Sequence, residues 1–181
     1  MFGHGPLNGF RVSPKSIAAI REAAMRARAA LKFRWPVPLG KFLEQLVTYS
    51  ITVDVVENRG VLPPGVEACW VPEDLTLYLT DHVYKAACTD DPRALFTVFH
   101  EMGHALLGHR RTLNREIPGR EIKTYEDSEW QANQFAAEFL MPLDEIVRYG
   151  LATEGQLMQR FGVSMDAARI RLNRLRRSAE I

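Results

Sequence analysis

The sequence predicts an α+β fold that is mostly helical, with a small β-sheet and a helix-turn-helix-like unit at its C-terminal end. Three observations carry this prediction. Stretches with apolar residues three and four apart occupy both ends of the chain, and three short β-branched or alternating runs cluster between residues 51 and 80. The last helical pair is split by a single glycine. With 181 residues, 46% of them hydrophobic, the chain can bury a core, and its length suits one compact domain with a small appendage.

The opening MFGHGPLNGFRVSPK is rich in Gly and reads as a flexible tail over residues 1–12. Ser13 followed by Pro14 reads as a helix cap with proline in the first turn. Ile17, Ile20, Ala24, Ala27 and Leu31 then keep helical spacing up to RWPVP. Phe42, Leu43, Leu46 and Val47 mark a shorter helix, and ITVDVVE, VEACWV and LTLYLT read as strands, the last two joined at PED. In TDDPRALFTVFHEMGHALLGH, Asp91 is the expected cap and Pro92 the first helical residue. Apolar residues lie almost all round this helix, as expected of one central to its domain.

The polar stretch RRTLNREIPGREIK reads as a connector, with a substrate lid as the alternative. The next helix, YEDSEWQANQFAAEFLM, is expected to open at Thr124 with Asp127 completing a capping box and to stop at Pro142. TEGQLMQRFGVSMDAARIRLNRLRR reads as helix, Gly162 turn, and a second helix capped by Ser164. The expected organisation is therefore a tail (1–12), a core (13–141) and a small helical unit (142–181).

Lys and Arg total 23 against 22 acids, so the net charge of +1 gives no global pull toward nucleic acid or an anionic membrane. Apolar runs such as ALLG and FLMP are far too short to span a bilayer, and the N-terminus lacks an apolar signal core. The expectation is a cytoplasmic protein with no membrane partner. Cys69 and Cys88 form neither a Cys-x-x-Cys pair nor a disulfide framework.

The chemistry gathers in FHEMGHALLGH. His100, Glu101 and His104 spell H-E-x-x-H, which on a helix places two imidazoles one turn apart, able to share one cation, with Glu101 beside them to take a proton from an attacking water. Composition alone would yield the pattern about one time in a hundred, and two imidazoles with a carboxylate in so apolar a helix are costly without partners. Both points favour a metal over a histidine-rich core helix.

A catalytic zinc needs a third protein ligand. The elongated pattern H-E-x-x-H-x-x-G-x-x-H fails, because residues 107 and 110 are Leu107 and Arg110. His109, nine residues past His100, falls about half a turn round a continuous helix and reads as a helix-end or loop-contacting residue. His82 and His4 are not favoured as ligands. On the following helix Glu129, Ala132, Asn133, Ala136 and Leu140 share a face whose alanines permit close helix approach, which makes Glu129 the leading third ligand and Glu126 the fallback. Glu138 lies on the opposite face. Asn133 reads equally as support for a ligand or as a packing amide. Tyr125, Tyr84, His82, His109 and Arg115 are each conceivable oxyanion partners, and none is assigned. Trp130, Phe135, Phe139 and Met141 read as core.

HEMGH followed by EWQANQFAAEFLMP resembles the ImmA/IrrE family of zinc-dependent metallopeptidases, and the likeness extends to LYLTD upstream and LMQRFGVSMDAARIRLNRL downstream, about residues 50–175. The resemblance implies a zincin-like metallopeptidase core holding one Zn2+ per chain on His100, His104 and Glu129, with Glu101 as the general base. It also implies an endopeptidase whose protein substrate is a regulatory partner, a helix-turn-helix repressor, cleaved to relieve repression in a stress or mobile-element circuit. The competing reading is a DNA- or protein-binding regulator with non-catalytic zinc. Its support is the last helix, where Arg169, Arg171, Arg174, Arg176 and Arg177 face only Asp166. Arginines on a terminal helix most often form its wet face, and the family likeness also disfavours direct DNA binding. Sequence leaves the oligomeric state open.

Overall fold

A computed structural model of the chain describes residues 9–36, 38–57, 62–109 and 122–181. It is mostly helical with one small mixed sheet, as the sequence predicts. Helix α1 spans Ile17–Ala30 and buries Ile20, Ala24 and Ala27. Its cap is Ser16, whose side chain accepts from the Ala19 amide, and not Ser13. The expected start was three residues early because Pro14 fits a first turn equally well in an extended approach to the helix.

Helix α2 covers Leu39–Gln45 and passes into a 3-10 turn, Leu46–Tyr49, which turns Val47 out to solvent. Strands β1 (Thr52–Val56), β2 (Ala68–Val71) and β3 (Thr76–Thr80) follow. The hairpin β2–β3 is antiparallel and β1 joins the other side of β3 in parallel, so the order is β1-β3-β2. Helix α3, Asp81–Cys88, begins directly at the end of β3. Thr80 is both the last strand residue and the cap that accepts from the Val83 amide, so no turn residue separates the two elements.

Helix α4, Pro92–Leu106, opens as expected with Asp91 accepting from the Arg93 and Ala94 amides and Pro92 in the first turn. Helix α5, Ser128–Leu140, does not open at Thr124: residues Thr124–Glu126 form a 3-10 turn, and Asp127 is the cap, accepting from the Trp130 amide at 2.7 Å. Residues 9–12, read from sequence as the end of a tail, run against this cap. The Gly9 amide donates to Asp127, the Phe10 amide to Ser128, and the Val12 amide to the Glu126 carbonyl.

The central helix is α5. Ser128, Gln131, Ala132, Gln134, Phe135, Ala136, Glu138 and Phe139 are all buried, covering nearly every side, whereas α4 leaves Arg93 and Leu106 exposed. Packing against α4 is close because Gly103 faces Ala132: a Cβ at residue 103 would sit 3.1 Å from both the Ala132 Cα and its carbonyl oxygen. Below this contact Phe99 stacks on Phe139 at 4.4 Å, and Phe33 meets both rings.

After Pro142 come α6 (Leu143–Arg148), α7 (Glu154–Phe161) and α8 (Met165–Arg177). Gly162 turns the chain with φ of 63°, and Ser164 caps α8 by accepting from the Ala167 amide. Leu157, Phe161, Val163, Ala168, Leu172 and Leu175 fill the contact between α7 and α8 and join the main core. The arginines of α8 are not a uniform wet face. Arg171 is buried and donates to both Glu138 oxygens, at 2.7 and 2.6 Å, and Arg174 lies over the Trp130 ring.

Candidate metal centre

Two helices build the site. On α4, His100 and His104 project from successive turns toward α5, and the close Gly103–Ala132 contact brings the first turn of α5 within reach. Glu129 bridges the imidazoles: its carboxylate oxygens lie 3.1 Å from His100 Nε2 and 3.3 Å from His104 Nε2, and the two Nε2 atoms are 3.2 Å apart. These separations match the edge of a tetrahedron with bonds of about 2.0–2.1 Å, which is about 3.3 Å. Two nitrogens and a carboxylate at that spacing fit a divalent cation, and these are the three side chains that could hold one among the described residues.

The electrostatics agree with the geometry. Hydrogen bonds from His100 and His104 hold the Glu129 carboxyl well below the usual carboxylate range. Burial works to lower the His100 pKa, but Glu129, Glu101 and Asn133 outweigh it and raise it.

Glu101 stands beside the triangle without joining it. Oε2 accepts from the Trp70 backbone amide of β2 at 2.9 Å, and Oε1 lies 3.9 Å from His100 Nε2. Burial raises its pKa above the ordinary carboxylate value, with the two histidines opposing. One oxygen is thus anchored to the sheet and the other faces the site.

Asn133 contacts His100 directly, its Oδ1 accepting from Nδ1 at 3.1 Å. His109 departs most from the sequence reading. The continuous helix assumed for it ends at Leu106, and Gly108, at φ of 70°, reverses the chain. The His109 amide bonds the His104 carbonyl and the Gly108 amide the Ala105 carbonyl, the two bonds of a Schellman motif. That motif sets the residue after the glycine over the residue five back. His109 Nδ1 therefore lies 3.0 Å from His104 Nδ1 and its Nε2 lies 3.1 Å from Gln131 Oε1. Burial pushes its pKa down to about 4. The signal for this contact was the Gly108–His109 pair at the end of an apolar run. Gln131 offered no sequence signal beyond its place on α5.

The remaining candidates lie elsewhere or lack a site contact. Glu126 turns to Arg11 and the Lys123 amide. Glu138 sits on the far side of α5 with Arg21 and Arg171. His82 is exposed on α3, Tyr84 lines a groove with Leu43, Val47 and Val55, and the exposed Tyr125 ring lies under Lys123. His4, Arg115 and residues 110–121 of the connector lie outside the described residues. Phe135, Phe139 and Met141 are fully buried, as core readings require, and Trp130 is half-buried. Cys69 and Cys88 are unpaired.

A helix that offers two imidazoles, a neighbour that offers a carboxylate, and an adjoining sheet form a candidate metal centre in an α+β domain. The family model described as the IrrE N-terminal-like domain (Peptidase_M78) matches residues 73–173, more than half the chain, and the chain belongs to this family. Among solved structures, a Mycobacterium tuberculosis transcriptional regulator is similar with a TM-score of 0.52 and 18% identity, over 82% of this chain and 45% of that one. At that identity the likeness concerns the fold, and the chain spans less than half the regulator's length. No curated protein matches the chain. No described helix is long and apolar enough to cross a membrane.

Proposed function

We propose that the chain is a cytoplasmic zinc-dependent endopeptidase that cleaves a regulatory protein, a helix-turn-helix repressor, and so relieves repression. Membership of a peptidase family supports the reaction class. The observation that carries it is Glu101, a carboxylate aimed at the donor triangle without being one of its vertices. A purely structural zinc is closed by four protein ligands and has no use for such a group.

His100, His104 and Glu129 would hold the ion, and the nitrogen-rich, tetrahedrally spaced donor set suits zinc. When bound, zinc lowers the pKa of a water toward about 7 and polarises the scissile carbonyl. Glu101 accepts the attacking water's proton at Oε1, the oxygen free of the Trp70 amide, and passes it to the leaving amine. Its burial-raised pKa brings it nearer neutrality, where a base of this kind transfers protons both ways.

The repressor substrate is supported by the family likeness and by the surface of α8. Arg171 and Arg174 are engaged within the fold, Arg176 binds the Ala152 carbonyl, and Arg169 pairs with Asp166. Met165 and Ile170 are exposed beside them, a mixed face that suits a protein partner better than a phosphate backbone. The test is to incubate the zinc-loaded chain with helix-turn-helix repressors from its own source, with and without chelator. Chelator-sensitive cleavage is expected, and intact repressors under both conditions would refute the proposal.

A further inference from the structure

We propose that His109, held by Gln131, is a positioning residue that fixes the tautomer of His104 so that the His104 Nε2 lone pair faces the cation. The functional sense of this rests on the metal reading above, whereas the proton positions follow from hydrogen bonding alone.

The chain of donors starts at the backbone. Gln131 Nε2 donates to the Ser13 carbonyl at 2.9 Å and to the Tyr125 carbonyl at 2.8 Å. Carbonyls only accept, so the amide has one workable orientation and its Oε1 must face His109. That oxygen can only accept, so His109 Nε2 carries a hydrogen and donates across 3.1 Å. His109 is 4% exposed and meets the Phe10 ring edge-on, and its side-chain hydrogen-bond partners among the described residues are His104 and Gln131, with no carboxylate among them. A buried imidazole in that setting is neutral, so its Nδ1 is bare. Across the 3.0 Å separation the hydrogen must then sit on His104 Nδ1, so that Nε2, aimed at Glu129 and His100 Nε2, is the nitrogen left to give its lone pair to a cation. The opposite arrangement would place an N–H where the cation belongs.

Metal-bound histidines commonly give their second N–H to a carboxylate or carbonyl, which sets ring orientation and tautomer. Here a second imidazole does this, and the helix-ending turn at Gly108 puts it in place. Asn133 serves His100 in the parallel position, so each imidazole has its own acceptor on Nδ1.

The test uses the full chain labelled with 15N at histidine. Long-range 1H–15N spectra of the metal-free protein near neutral pH should show His109 protonated at Nε2 only and His104 protonated at Nδ1. A His104 Nδ1 without a hydrogen, or a doubly protonated His109, would overturn the proposal. In parallel, Co2+ titrations followed by visible absorption should show affinity falling about 10–100-fold in His109→Phe, with recovery in His109→Gln, which returns an acceptor. Wild-type affinity in a folded His109→Phe would also overturn it. If that variant does not fold, Gln131→Met releases the same chain one link earlier and is held to the same loss. Failure of the wild-type protein to bind Co2+ would instead refute the metal reading and the function with it, and the metal-free spectra separate that outcome from a wrong tautomer.

Discussion

Glu101 and Glu129 are both carboxylates within reach of His100, yet their surroundings divide the work between them. Two imidazoles draw Glu129 into its charged form, while burial pushes Glu101 toward its neutral form and the Trp70 amide holds one of its oxygens. Glu101→Gln is therefore expected to bind Zn2+ as the native chain does and to lose cleavage by about 10²-fold or more, read by metal content and by proteolysis of the repressor. His100, Glu101 and His104 were legible in the sequence because all three lie inside one regular helix, where spacing converts directly into direction. Glu129 was legible for the same reason on α5. His109 was misplaced because that conversion stops at a helix end, and a glycine with positive φ sends the next side chain back over the last turn. Arg171 was read as solvated because its buried partner, Glu138, lies 33 residues away and carries no local signal.

The spacing between elements decides whether the donors converge. Gly103 and Ala132 let α4 and α5 approach so closely that a methyl group at residue 103 would press on the α5 backbone at 3.1 Å. Helix propensity alone would make Gly103→Ala more stable by about 1 kcal/mol. Overpacking against backbone costs about 1–3 kcal/mol, so a net loss of about 1 kcal/mol is expected, together with weaker Zn2+ binding as Glu129 is pushed outward. Denaturant unfolding and metal titration of the same sample check both, and a gain in stability would show that the two helices part freely. Most elements were legible from period and caps. The exceptions have two causes: α3 is capped by the last residue of β3, so no turn residue announces it, and α6 is only six residues long, too short to display a helical period.

Across the whole molecule, α5 joins the candidate centre on one face to the C-terminal helices on the other. Glu138 is fully enclosed and takes hydrogen bonds from Arg171 and Arg21, and Arg21 reaches on to Glu180. Burial alone would raise the Glu138 pKa, but the two guanidinium groups outweigh it and lower it. The unfolded value is about 4.3, so this contribution to stability is complete above that pH and is lost as pH falls toward the lower folded value. Glu138→Gln should cost about 3–5 kcal/mol at neutral pH, and its deficit relative to the native chain should shrink as the pH is lowered below about 4. Urea unfolding at several pH values reads both effects, and a deficit constant with pH would contradict the assignment. Metal removal acts on the same body. A ligand at 100 times its Kd adds about 2.7 kcal/mol, so chelation should lower Tm by about 5–10 °C in a chain of this size.

The Trp70 amide belongs to the outer strand of the sheet, and Glu101 is its acceptor. Trimming residue 101 to alanine would therefore remove the proposed proton carrier and also strand a backbone donor, at about 1–3 kcal/mol, on a margin where unpaired donors invite foreign strands. Glutamine keeps an oxygen for that donor. Of the two substitutions, only glutamine isolates chemistry from architecture, and sluggish or aggregating alanine protein would report a loosened seam and say nothing about the loss of a base.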